Sequence, residues 1–123
     1  FADWERTYRG LLDQARQANP ALKIVLCTPF AAPCGKIVEG ALGEYYPLRQ
    51  RILAQCCVIV ERIAADYGAT LVPFHRLIAD LETRLPNGDA TYWVWDGIHP
   101  TPAGQRLMAD CWIGAAARNG VME

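Results

Sequence analysis

Two apolar runs constrain this chain more than any other feature. Residues 22–27, Leu-Lys-Ile-Val-Leu-Cys, and residues 69–74, Ala-Thr-Leu-Val-Pro-Phe, each come directly behind a helical pattern. Both are short and nearly continuous in apolar side chains, which suits strands buried on two faces better than strands with one wet face. Helix-then-strand alternation of this kind indicates an α/β layer fold with a parallel sheet.

The helical patterns are readable one by one. Phe1, Trp4, Tyr8, Leu11, Leu12, Ala15 and Ala18 recur at three- and four-residue spacing, which predicts an amphipathic helix over residues 1–19 closed by Asn19-Pro20. Residues 30–43 hold Pro33, Gly35, Gly40 and Gly43 and read as a loop. Pro47 suits the first turn of the next helix, whose stripe is Leu48, Ile52, Cys56, Val60, Ile63 and Tyr67, with Gly68 as its C-terminal cap. Residues 75–85 form a shorter predicted helix stopped by Pro86-Asn87-Gly88, and residues 89–100 a loop carrying Tyr92, Trp93 and Trp95. Thr101-Pro102 is a capped helix start, and Leu107, Met108, Cys111, Trp112 and Ala115 line the last helix up to Asn119-Gly120. The stripes holding Trp4 and Trp112 are expected in the core.

The expectation is therefore about two parallel strands and four helices in one domain. Two strands make a poor sheet. The helices lack neighbouring strands to cover them, so residues 1–123 read as the C-terminal portion of a larger α/β domain. Residue 1 is Phe, not Met, and it opens directly into a helical pattern. The expectation is that the coding sequence extends upstream.

Composition excludes some classes of function. The 123 residues carry a formal net charge of −1 with the charges scattered, whereas nucleic-acid binding calls for a basic surplus or a basic face. No apolar stretch has the length of a membrane span. The five cysteines, Cys27, Cys34, Cys56, Cys57 and Cys111, are odd in number and do not fall at disulfide-scaffold or zinc-finger spacing. They read as small buried hydrophobes with a mild lean to a reduced, cytoplasmic setting. Neither a metal nor an organic cofactor is expected, and His75, His99 and the cysteines offer no short paired ligand spacing. There is no serine in the chain.

One stretch carries chemistry: Trp95-Asp96-Gly97-Ile98-His99-Pro100-Thr101-Pro102-Ala103-Gly104. Asp and His three apart in a Gly/Pro-rich turn allow the Asp96 carboxylate to fold back and accept a hydrogen bond from His99 Nδ1–H. That fixes the tautomer and leaves Nε2 as an acceptor. An imidazole held this way is a general base for a hydroxyl nucleophile and a general acid for its leaving group. The structural alternative is an ordinary helix entry with an incidental His.

The block Asp-Gly-Ile-His-Pro-Thr-Pro-Ala-Gly, followed by Arg-Leu-Met-Ala-Asp, resembles the terminal catalytic block of the SGNH, or GDSL-type, hydrolases. Residues 1–30 are similar to that family's penultimate strand unit, and the long helix followed by Gly68-Ala69-Thr70-Leu71-Val72 to its last one. The resemblance implies part of a flavodoxin-like three-layer α/β/α domain that hydrolyses small acyl esters, acetylated sugars among them. It implies Asp96 as orienting acid and His99 as base. In that family the nucleophilic Ser sits in a Gly-Asp-Ser block near the N-terminus, and a Gly and an Asn from two intervening blocks help build the oxyanion hole. None of these has a match here, so the chain alone is expected to be inactive and to need a missing N-terminal part.

Other residues compete for roles. Cys34 follows the first strand, on the side where open α/β sheets bind ligands, and is an alternative nucleophile. His75 could serve as a ligand or second base, or be a partly exposed helix-entry residue. Trp95, with Tyr92 and Trp93, could wall a substrate cleft or pack the loop. Outside catalysis, the chain could be a self-associating module, a homodimer through its sheet edge, with a relic Asp-His turn.

Overall fold

The structure is a computed structural model that describes residues 1–84 and 90–122. Its main elements are α1 (Ala2–Ala18), β1 (Val25–Cys27), α2 (Gly40–Glu44), α3 (Tyr46–Asp66), β2 (Thr70–Val72), α4 (Phe74–Arg84) and α5 (Pro102–Arg118). The expected Pro86-Asn87-Gly88 stop lies outside the described residues.

The α/β reading is correct. β1 and β2 pair in parallel, with Val25 opposite Thr70, Leu26 opposite Leu71 and Cys27 opposite Val72. The ladder continues by one bond at each end. Thr70 N–H donates to the Ile24 carbonyl at 2.9 Å, and Thr28 N–H to the Val72 carbonyl at 3.1 Å. Both strands are shorter than the apolar runs that announce them. Pro73 has no N–H to give to a ladder, and Phe74 already opens α4.

The pleat sorts the side chains. Leu26 and its register partner Leu71 share a face with Ile24, and there they meet Ile59, Val60, Ile63 and Ala64 of α3 and Tyr8 and Leu12 of α1. Thr70 and Val72 are buried on the opposite face of β2, against which α5 packs. The result is helix, sheet, helix, the three-layer arrangement that the resemblance implies.

Two expectations need correction. Residues 30–43 are not wholly loop, since Gly35–Val38 is a 3-10 turn and α2 follows it. Trp4 is not core. It is 42% exposed, and no residue of α1 is fully buried. Its face of α1 lies beside the edge of β1, where no further strand stands among the described residues. Trp112 is half-buried. α1 packs on the core through Tyr8 and Leu12, and ion pairs to α3 join it at the surface: Arg9 to Asp66 at 2.7 Å, and Arg62 to Glu5. Among the described residues no helix is long and apolar enough to cross a membrane.

A second, smaller core positions the Asp96 turn. Ala32, Cys34, Ile78, Ala90 and Val94 are buried together, with Phe30, Leu81 and Trp93 around them. It joins the segment after β1, helix α4 and the segment leading to α5.

Candidate active site

The Asp96–His99 turn is a tight reversal whose two ends pair. Val94 and Pro100 form an isolated antiparallel bridge, and Trp95 N–H donates to the His99 carbonyl at 3.2 Å. Thr101 then caps α5: its hydroxyl accepts from Gly104 N–H at 3.1 Å and donates to the Tyr92 carbonyl at 2.7 Å. Thr101 N–H also donates to the Trp93 carbonyl at 2.9 Å. Gly104 has to be glycine here, because a Cβ would collide with that same carbonyl.

The segment after β1 clamps the turn from behind. Ala32 N–H donates to the Gly97 carbonyl at 2.9 Å. Gly35 and Gly97 both sit at positive φ, +61° and +89°. A Cβ on Gly35 would lie 2.5 Å from Asp96 Cα, and one on Gly97 would lie 2.6 Å from the Cys34 carbonyl and strike the Ile37 side chain. Backbone meets backbone at this point, which only paired glycines allow. Gly35 lies in a segment that reads as a loop, and nothing local in the sequence links it to Gly97.

Within that frame Asp96 is saturated by donors from its own turn. Oδ1 accepts from Ile98 N–H at 2.9 Å and from His99 N–H at 2.7 Å. Oδ2 lies 2.6 Å from His99 Nδ1. The backbone N–H of His99 and then its ring favour the ionised carboxyl most strongly, and they pull the Asp96 pKa down to about 2. A carboxylate can only accept, so the proton between the two side chains belongs to Nδ1. Nε2 is thereby left as the lone-pair nitrogen. It faces outward on a side chain 68% exposed, while the Asp96 side chain is 17% exposed. The Trp95 ring stacks on the His99 ring at a centroid distance of 6.1 Å and an interplanar angle of 29°, and is itself largely exposed.

The other candidates are held elsewhere. Cys34 is buried, and its thiol donates to the Val94 carbonyl at 2.8 Å, so it is part of the small core. His75 is half-buried at the start of α4, with Nδ1 2.7 Å from the Thr28 hydroxyl and Nε2 3.7 Å from a Glu61 carboxylate oxygen. Burial holds its pKa below the ordinary histidine value. Tyr92 packs edge-on against Trp93 at 4.7 Å. No group of three or more His, Cys, Asp or Glu side chains is placed to hold a metal ion among the described residues.

No curated protein matches the chain. A solved structure from Parabacteroides merdae ATCC 43184, provisionally described as a GDSL-like lipase, superposes with a TM-score of 0.76 at 28% identity. The match covers 92% of this chain and 48% of that one, so the chain spans about half the length of its structural neighbour. The family model for GDSL-like lipases and acylhydrolases matches residues 1–107, a span that takes in both strands, the Asp96–His99 turn and the start of α5. The chain belongs to the GDSL-like lipase/acylhydrolase family.

Proposed function

We propose that this chain supplies the acid–base half of an esterase site acting on small acyl esters, carbohydrate acetyl esters among them. The observation that carries the reading is the 2.6 Å contact between Asp96 Oδ2 and His99 Nδ1, which leaves an outward acceptor at Nε2. In the reaction, Nε2 takes the proton of a serine hydroxyl as its oxygen attacks the ester carbonyl. The resulting imidazolium is stabilised by Asp96, and it returns the proton to the departing alkoxide as the acyl-oxygen bond breaks. Water then repeats the sequence on the acyl-enzyme. No step draws on a metal or organic cofactor. Trp95, exposed and stacked on His99, forms an apolar wall for the substrate beside the base.

The chain contains no serine, so the nucleophile and the oxyanion donors come from residues outside these 123. The uncovered edge of β1 is where such a partner segment docks. There Trp4, Tyr8, Leu11 and Cys27 line an apolar groove of about 400 Å³. The structural neighbour supports this choice of occupant, since about as much chain again accompanies the part that this chain matches. A strand added at that edge completes backbone pairing and covers the groove.

The test is hydrolysis of p-nitrophenyl acetate by the chain alone and in an isolated complex with a serine-bearing N-terminal half of a GDSL-like hydrolase. The chain alone shows no enzyme-level turnover. The complex turns over, and His99→Ala lowers its rate by about 10²–10⁴-fold. A His99-dependent rate of enzyme magnitude from the chain alone overturns the division of labour. A complex indifferent to His99→Ala overturns the role of the base. A stable dimer of this chain that excludes the partner half favours the self-associating, non-catalytic alternative instead.

A further inference from the structure

A second cavity lies apart from the Asp96 turn. It holds about 300 Å³ between α3 and α4, closed on a third side by residues 29–31 after β1, and it includes none of residues 95–99. That volume is at the lower end for small-ligand sites. Leu53, Ala54, Ile78 and Ala79 give it apolar walls, and Tyr46, Gln50 and Glu82 bring polar groups to it.

Gln50 and Glu82 offer acceptors, and Glu82 is the one carboxylate in the lining, while the Tyr46 hydroxyl, which accepts from Gln50, keeps its own proton to donate. Gln50 spends its Nε2 hydrogens on the Ala31 carbonyl at 3.0 Å and on the Tyr46 hydroxyl, which leaves its Oε1 to accept. Glu82 is half-buried, and its carboxyl has no hydrogen bond or ion pair among the described residues. The nearby cations on α4 are engaged elsewhere: Arg76 with Glu61 and Arg84 with Asp80, both at 2.6 Å. His75, also at the wall, has its Nδ1 on Thr28. A carboxylate brought into this cavity would be repelled by Glu82, and a purely apolar guest would leave Glu82 and Gln50 Oε1 desolvated without partners.

We infer that the cavity between α3 and α4 is a binding site for a short primary alkylammonium, with the ammonium on Glu82 and Gln50 Oε1 and the alkyl stem against Leu53 and Ile78. An ammonium supplies three donors where the cavity offers acceptors, and charge-assisted bonds to a carboxylate are the strong kind. The stem then removes apolar wall from water. Burial raises the Glu82 pKa in the empty site, and a bound cation reverses that pressure. This site stands independently of the hydrolytic reading.

The experiment is methyl NMR titration of the full chain with n-butylamine, n-butanol and butyrate at neutral pH. Butylammonium is expected to shift the Leu53 and Ile78 methyl signals saturably, with the His99 ring signals unmoved. Butanol is expected to bind at least tenfold more weakly, and butyrate not at all. Glu82→Gln is expected to weaken butylammonium at least tenfold while the methyl dispersion of the ligand-free chain is retained, which separates a lost charge contact from a lost fold. Equal binding of amine and alcohol overturns the inference. So does amine binding unaffected by Glu82→Gln, and so does the absence of any saturable shift.

Discussion

Gly97 lies against the segment that follows β1, and its carbonyl accepts the Ala32 N–H at 2.9 Å. The pair ties the Asp96–His99 turn to the segment that leaves the sheet after β1. Its φ of +89° suits glycine alone, and any side chain there meets Ile37 and the Cys34 carbonyl. Gly97→Ala therefore combines backbone strain of about 1–3 kcal/mol with overpacking of about 1–3 kcal/mol. Urea unfolding reads this as a lower midpoint at unchanged slope. A midpoint equal to wild type would show that the turn is not clamped.

Asp96 makes stability depend on acid. Its folded pKa of about 2 is below the ordinary Asp value of about 3.9. A depressed carboxyl contributes stability that is fully present above about pH 4 and is lost as pH falls through about 2. Asp96→Asn should flatten that part of the stability–pH curve and leave the curve above about pH 5 parallel to wild type. An Asp96 carbonyl resonance in NMR with a midpoint near the ordinary value would contradict the donor set around the carboxylate.

Cys34 is predicted to be inert in the folded chain. Its buried thiol is spent on the Val94 carbonyl, and reactive thiols need exposure. Iodoacetamide at neutral pH should leave Cys34 unmodified until denaturant is added, as mass spectrometry of the peptide will show. Selective native-state alkylation of Cys34 would restore it as a nucleophile.

Thr101 holds the entry of α5 through its hydroxyl contacts to the Tyr92 carbonyl and Gly104 N–H. Thr101→Ala should cost about 0.5–2 kcal/mol, read by thermal or urea unfolding, while Thr101→Ser keeps most of the cap. Equal losses for both variants would assign the effect to the lost methyl group.

Local patterns carried the reading where one short segment holds the whole signal. Asp96, His99, Thr101 and Pro102 announce their geometry because the carboxylate, the ring and the helix cap all lie within seven residues of one turn. Pro47 and Gly68 mark the ends of α3 for the same reason. What escaped is what tertiary contact decides. Nothing near Gly35 in the chain says that its neighbour is Asp96, sixty-one positions on. The exposure of Trp4 depends on the uncovered edge beside it, not on its own helical pattern. β2 stops at Val72 because Pro73 withholds a donor, a signal inside the run that a count of apolar side chains passes over.

The tautomer of His99 is the most direct test of its role as a base. Long-range proton–nitrogen NMR of the neutral ring distinguishes its two tautomers. The prediction is a proton on Nδ1 and a lone pair on Nε2, with the balance moving toward Nε2–H in Asp96→Asn. A wild-type ring protonated at Nε2, unchanged by Asp96→Asn, would contradict it.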